Sequence, residues 1–381
     1  MTTWQHYSWA GQMREIEAKL ALAVTQKFTP LGMANLLKRF GSASGVVAAP
    51  RTEINKVPKV NKQGAEALAE VIRKGDHLRE LEECEKHGIR LLELEDKAYP
   101  QLLKRIDDPP PLMYVRGEIN ELDDLALAIV GGRSASYYGT AQAARFARDF
   151  AIRRVTVVSG LARGIDTASH RAALDAGGRT LAVVGSGLLD IYPPENDRFA
   201  LEIAENGAVI SEFPLHTPGR ARNFPQRNRI ISGLSLGVLV VEATRKSGSL
   251  ITARLAAEQG REVFALPGKV DSDLSQGPHD LIREGAHLVA EPEHVYEGLE
   301  MLKLLPEEKA PEKRATATPQ GMSPTEAALW KVLMPSDGLT VDELMGKTSL
   351  PAAQISSGLL TLEMKRLAKA LPGKRYVRLE A

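Results

Sequence analysis

Ala126-Leu127-Ala128-Ile129-Val130-Gly131-Gly132-Arg133-Ser134-Ala135-Ser136-Tyr137-Tyr138-Gly139 decides how this chain is read. Five apolar residues run without a polar interruption into two glycines. So short and uniform a run suits a strand buried on both faces of a parallel sheet. Gly131 and Gly132 permit a sharp turn and a close approach of a ligand to the backbone. The helix expected next would offer free N–H groups and a positive end to an anion. Arg133 adds a planar fork of donors that fits a phosphate. One such turn is weak, because many parallel-sheet turns carry glycine for steric reasons alone.

Recurrence strengthens it. Val155-Thr156-Val157-Val158 runs into Ser159-Gly160-Leu161-Ala162-Arg163-Gly164-Ile165-Asp166, and 180–184 into Gly185-Ser186-Gly187. Residues 208–210 run into Ser211-Glu212-Phe213-Pro214, 236–241 into Glu242-Ala243-Thr244-Arg245-Lys246-Ser247-Gly248-Ser249, and 263–266 into Pro267-Gly268-Lys269. Helical segments are expected between them at 140–153, 166–176, 196–205, 226–234 and 250–259. Strict alternation implies an α/β fold with a doubly wound parallel sheet and right-handed crossovers. Ligands of such sheets bind at the carboxyl edge of the strands, where most of the Gly, Ser, Arg and Lys signals fall.

Length and composition set limits. The chain has 381 residues, enough for two or three cored domains, and a formal net charge of +1, so any nucleic-acid binding must come from a local patch. Cys84 is the only cysteine, which excludes an intramolecular disulfide and a thiolate metal cluster and suits a reducing cytoplasm. Residues 1–10 are aromatic and polar, unlike a signal peptide, and no stretch approaches the roughly 20 apolar residues of a membrane span.

Residues 1–77 read as a small helical domain resembling SAM or helix-hairpin-helix modules, with helices at 15–24, 31–40 and 64–73. Pro58-Lys59-Val60-Asn61 stands where a DNA-binding hairpin usually carries glycines, which favours a structural or protein-contact role there. Residues 78–303 form the sheet domain. Its lead-in has strands at 88–92 and 112–117 and a short helix at 99–103, and is expected to extend the parallel sheet. Residues 304–321 are a linker rich in Pro, Glu, Lys, Ala and Thr. Residues 322–381 read as a winged helix. Ser323 with Glu326 makes a capping box, helices follow at 340–345 and 351–367, and strands 368–371 and 375–379 form the wing. The last helix is poor in basic residues, so protein contact is favoured over sequence-specific reading of duplex DNA.

The strongest cationic run is Gly219-Arg220-Ala221-Arg222-Asn223-Phe224-Pro225-Gln226-Arg227-Asn228-Arg229. Phe224 sits among the arginines as a platform for a base. Lys246 and Ser247 follow the next strand and face the same edge. Asn196 and Asn228 read base edges or, more commonly for such residues, fix loops; Asp166 and Glu242 are expected to cap and orient, and His170 to be structural. No Walker lysine motif, metal-ligand spacing or Ser-His-Asp constellation is present, so neither cofactor nor metal is expected.

The ordered motifs across 112–290 resemble the DprA (DNA processing protein A, or Smf) family. They are Gly131-Gly132-Arg133 with Ser136 and Tyr138-Gly139, the 159–166 turn, Gly185-Ser186-Gly187 with Asp190-Ile191-Tyr192-Pro193-Pro194-Glu195-Asn196, and Ser211-Glu212-Phe213-Pro214. Then come the block from Phe224 to Ser235, Val241-Glu242-Ala243 with Ser247-Gly248-Ser249-Leu250, and Ala265-Leu266-Pro267-Gly268. His279 and Ser169 depart from the usual pattern without touching the phosphate signals. The resemblance implies an extended Rossmann-like sheet, single-stranded DNA binding, dimerisation, and loading of RecA recombinase during natural transformation.

The expected DNA contacts are Gly132, Arg133, Ser136, Ser159, Gly160, Arg163, Gly164, Gly185, Gly187, Asn196, Phe224, Arg227, Asn228, Arg229, Lys246, Ser247 and Gly248. Arg133, Lys246, Arg227 and Arg229 would neutralise phosphates, and N–H groups at 160–164 and 185–187 would form nests. The alternative is a nucleotide-binding or nucleoside-monophosphate-cleaving enzyme, whose Pro-Gly-Gly-x-Gly-Thr stretch Leu266-Pro267-Gly268-Lys269 does not complete. A ligand-sensing transcription regulator is disfavoured by the weakly basic last helix.

Overall fold

The computed structural model describes residues 13–303, 321–333 and 338–379; the expected linker, apart from Gly321, and residues 1–12 lie outside them. The sheet strands are β1 (Arg90–Glu93), β2 (Leu112–Gly117), β3 (Ala126–Val130), β4 (Thr156–Ser159), β5 (Thr180–Val183), β6 (Gly207–Ser211), β7 (Gly237–Val240), β8 (Glu262–Ala265) and β9 (His287–Leu288). Their order is β1-β2-β6-β5-β4-β3-β7-β8-β9. From β6 to β9 every neighbouring pair is parallel.

The helices, in chain order, are α1 (Glu15–Thr25), α2 (Pro30–Phe40), α3 (Ala43–Ala48), α4 (Arg51–Ile54), α5 (Gly64–Lys74), α6 (Asp76–Lys86), α7 (Gln101–Lys104), α8 (Tyr137–Ile152), α9 (Ile165–Asp175), α10 (Asp197–Glu205), α11 (Asn223–Gly233), α12 (Ser249–Glu258), α13 (Gln276–Arg283) and α14 (Pro292–Glu297). The fully buried central strands alternate sides, as a pleat requires. Ala126, Ala128 and Val130 join Ile230, Ile231, Leu250 and Ala253 of α11 and α12, whereas Leu127 and Ile129 join Phe146, Phe150 and Ile165 of α8 and α9. The sheet is therefore doubly wound, as the alternation predicts.

The lead-in differs from expectation. β1 pairs antiparallel with β2, and β2 antiparallel with β6, with Tyr114 opposite Ser211 and Val115 opposite Ile210. The connector 118–125 is the physical reason. It must enter β3 at the amino edge of the sheet, so β2 has to end there and runs opposite to its neighbours.

The N-terminal helices pack around Leu22, Leu36, Val46, Ile54 and Leu68. They also close one side of the sheet: Leu20 of α1 and Cys84 of α6 share a cluster with Leu112, Tyr114 and Leu215. At the other end, α15 (Pro324–Val332), α16 (Val341–Thr348) and α17 (Ala352–Met364) pack with a small sheet of order β10-β12-β11. Its strands are β10 (Leu339–Thr340), β11 (Ala368–Leu371) and β12 (Arg375–Arg378), the wing of a winged helix. Ser323 with Glu326 and Thr340 with Glu343 form capping boxes that start two of its helices.

Candidate nucleic-acid interface

β3 and β7 lie side by side at the point where the chain changes direction across the sheet. α8 leaves on one face and α12 on the other, which opens a crevice between their entry loops. Glu242, almost fully buried, ties the two loops together. Its carboxylate accepts from the Ser136 N–H at 2.8 Å and the Ser136 hydroxyl at 2.6 Å, and its carbonyl accepts from the Gly132 N–H at 2.6 Å. The Ser136 oxygen in turn accepts from the Gly139 N–H at 3.0 Å and caps α8. The Arg133, Ser134 and Ala135 N–H groups have no hydrogen-bond partner among the described residues, and Arg133 is exposed. Unpaired N–H groups just ahead of a long helix have the polarity that suits an anion. Across the crevice, Lys246 is exposed and has no ion-pair partner among the described residues. Ser247 shares a 2.8 Å hydrogen bond with Ser249, and the Gly248 carbonyl accepts from Asn228 at 3.2 Å.

The loop after β4 is closed on itself, contrary to the expected nest. The Gly160 and Ala162 N–H groups donate to the buried Asp166 carboxylate at 3.1 and 3.3 Å. Burial pushes this carboxyl up, against the pull of Arg227 and these donors. Ser159 donates to the Ile129 carbonyl at 2.6 Å, and Asn196 to the Leu161 carbonyl at 2.9 Å and Thr167 at 3.0 Å. Gly164 turns at φ +75° against the Gly132 carbonyl, and exposed Arg163 pairs with Glu195. In the next turn the Gly187 N–H donates to the Thr217 carbonyl at 2.8 Å. Asp166, Glu242 and Asn196 thus cap and fix loops, and His170, fully buried on Thr180 at 2.6 Å, is structural.

The basic segment divides sharply. Arg227 is 4 % exposed and lies beneath the strand ends, donating to the Gly160 carbonyl at 2.8 Å and to the Val183 carbonyl. Burial, opposed by Asp166 and aided by Arg133, lowers this guanidinium to about 10, so it stays cationic at neutral pH. A Cβ on Gly160 would lie 2.3 Å from the Arg227 Nη1, so only glycine leaves room for it. Arg229 is 5 % exposed and held in ion pairs with Glu212, which follows β6, and, at 3.3 Å, with Asp108. Both arginines are almost fully buried on protein partners, whereas the expectation had them open to phosphates. Arg220 and Arg222 are exposed, and neither has an ion-pair partner among the described residues.

Phe224 is half-buried at the start of α11. Its ring covers Gly185, where a Cβ would lie 2.7 Å from the ring, and its centroid is 5.6 Å from that of Tyr192. The Arg133 guanidinium carbon stands 4.7 Å from the same centroid. This joins the first loop to the basic segment through a cation–π contact. Tyr192 is the contributor that the residue pattern did not single out for contact; the aromatic two residues after Asp190, in the loop after a Gly-Ser-Gly turn, was the available signal. No cluster of metal-ligating side chains occurs among the described residues.

The sheet edge thus brings together a loop with unpaired N–H groups at the switch point, exposed cations without ion-pair partners among the described residues, and an aromatic pair. Comparison with known proteins places the chain in a family. The family model described as DNA recombination-mediator protein A matches residues 90–300, and the DprA winged helix domain matches 311–374. Protein Smf of Escherichia coli is 46 % identical over 294 residues, which is 76 % of this chain and 77 % of that protein. DNA processing protein DprA of Bacillus subtilis is 42 % identical over 213 residues, 56 % of this chain and 72 % of that one. Among solved structures, DprA of Streptococcus pneumoniae superposes with a TM-score of 0.66 at 33 % identity, covering 76 % of this chain and 99 % of that one. DprA of Helicobacter pylori, solved for its single-stranded DNA binding mode, gives 0.50 at 30 % identity over 56 % of this chain and 96 % of that one. The chain belongs to the DprA/Smf family.

Proposed function

We propose that this protein binds single-stranded DNA along the carboxyl edge of its sheet with little sequence preference. The observation that carries the reading is the Arg133–Phe224 pair beside the 133–135 arch. It sets a cation, unpaired N–H donors and an aromatic face within reach of one nucleotide. Lys246, Arg220 and Arg222 take neighbouring phosphates, while Arg227, Arg229, Ser136, Ser159, Asn196 and Asn228 hold the edge in shape. Phosphate contacts and stacking tolerate any base, which is why sequence preference is small. The family resemblance extends the proposal to a cytoplasmic homodimer that protects incoming DNA and loads RecA during natural transformation. We infer a binding role rather than a nucleotide-cleaving one because Asp166 and Glu242, the buried carboxylates at the strand ends, already accept hydrogen bonds from backbone N–H groups. Fluorescence anisotropy with labelled oligo-dT, competed by duplex DNA and by nucleoside monophosphates, tests the reading. Oligo-dT is expected to bind best; competition by duplex at equal or lower concentration overturns it.

A further inference from the structure

The N-terminal helical domain carries charge that the sheet edge does not use. Between Gln26 and Ala65 every ionised side chain except Glu53 is a cation, in a chain whose net charge is only +1. Glu53 pairs with Arg39 at 3.5 Å and Lys56 at 2.6 Å. Lys27, Lys59 and Lys62 are exposed and have no carboxylate partner among the described residues.

The loops that start α2 and α5 bring these lysines together. They share one pattern: Lys27-Phe28-Thr29 followed by Gly32, and Lys59-Val60-Asn61 followed by Gly64. Phe28 and Val60 form an antiparallel bridge. A Cβ on Gly32 would lie 2.7 Å from the Lys59 carbonyl oxygen, and one on Gly64 would lie 2.4 Å from the Phe28 ring, so the two loops are pressed together. Lys59 itself turns at φ +65°, the conformation that a hairpin glycine would supply. Two eleven-residue helices therefore begin side by side, and their positive ends reinforce the lysines.

This surface is joined to the sheet edge. The Gln26 side chain donates to the Thr217 hydroxyl at 2.9 Å, and the Glu80 carboxylate accepts from the Leu215 N–H at 2.7 Å. The loop so held leads directly to Arg220, Arg222 and Phe224. The cations thus continue from the stacking platform to the paired loops.

We propose that a single strand leaving the sheet edge past Phe224 continues over Arg222 and Arg220 onto these loops, where Lys27, Lys59 and Lys62 take its phosphates. The proposal rests on the sheet-edge reading, because it says where that strand goes next. It makes the N-terminal domain a length-dependent second half of the site. The test compares oligo-dT of about 6 and about 30 nucleotides, one within and one well beyond the span of a single binding fold. Lys27→Gln/Lys59→Gln/Lys62→Gln should bind the short oligonucleotide as the wild type does. On the long one its salt slope should fall by up to about 2, because each phosphate that a lysine neutralises adds about 0.7 to the slope. Lys27→Gln/Lys62→Gln, which leaves the strained Lys59 position alone, should show about two thirds of that fall. A normally melting variant with unchanged affinity and slope on the long oligonucleotide overturns the proposal, and so does equal weakening on both lengths. If the wild type binds neither length, the sheet-edge reading fails, and this proposal with it.

Discussion

Replacing Arg227 with methionine separates a framework role from a phosphate contact. Methionine keeps much of the apolar stem and removes the guanidinium. The Gly160 and Val183 carbonyls lose their donor, and buried Asp166 loses the nearby cation. Breaking a buried charged pair by removing one partner costs roughly 3–5 kcal/mol. In a domain of about 200 residues, 1 kcal/mol moves Tm by about 2–4 °C, so melting should fall by about 6–20 °C. The salt slope for oligo-dT at a temperature where the variant is folded should not change, because the buried guanidinium touches no phosphate. Thermal unfolding followed by circular dichroism, with anisotropy across a salt series, measures both. A variant that melts like the wild type while its slope drops by about 0.7 would return Arg227 to the DNA and refute the framework assignment.

Phe224→Ala should weaken oligo-dT binding by about tenfold or more, since stacking contributes roughly 1–3 kcal/mol per base, with no change in salt slope. Its ring is only half-buried, so Tm should drop by a few degrees rather than collapse; normal binding removes it from the site. Buried His170 is lowered by burial to about 3 from its ordinary 6.5, so the unfolded chain binds a proton there that the folded chain refuses. Stability must therefore fall with pH below about 6.5, by up to about 1.4 kcal/mol per unit down to about 3. His170→Asn removes that component, so the wild type's advantage in Tm should shrink between about pH 7.5 and about pH 5; a constant gap contradicts it. Deleting 322–381 should leave oligo-dT affinity largely intact, because the exposed face of α17 carries Ala353, Ser356, Ser357 and Leu360 in place of cations. A folded truncation that has lost most of its affinity would overturn that.

The sheet is legible in the sequence because each strand is a short apolar run punctuated by glycine or serine, and each following helix repeats at its own period. Strand direction is not written in apolar runs, which is why β1 and β2 needed the connector 118–125 to show that they run antiparallel. The placement of Arg133, Phe224 and Lys246 at the edge is legible, because they follow strands or start a helix there. It is not legible at Arg227 and Arg229. Two residues along a helix turn a side chain by about 200°, so one arginine passes under the strand ends and the other meets Asp108 and Glu212. Burial of both depends on partners far away in the chain. The turn at Lys59 was hidden for a simpler reason: a lysine adopts there the positive φ for which glycine is the usual signal.

Photocrosslinking of thiothymidine-substituted oligo-dT to the full-length wild-type protein, with mapping of the modified peptides, shows whether a single strand lies along the carboxyl edge of the sheet. Adducts are expected in the segments 131–139 and 220–226, suppressed by unlabelled oligo-dT. Adducts confined to residues 322–379, with none at the sheet edge, would contradict it.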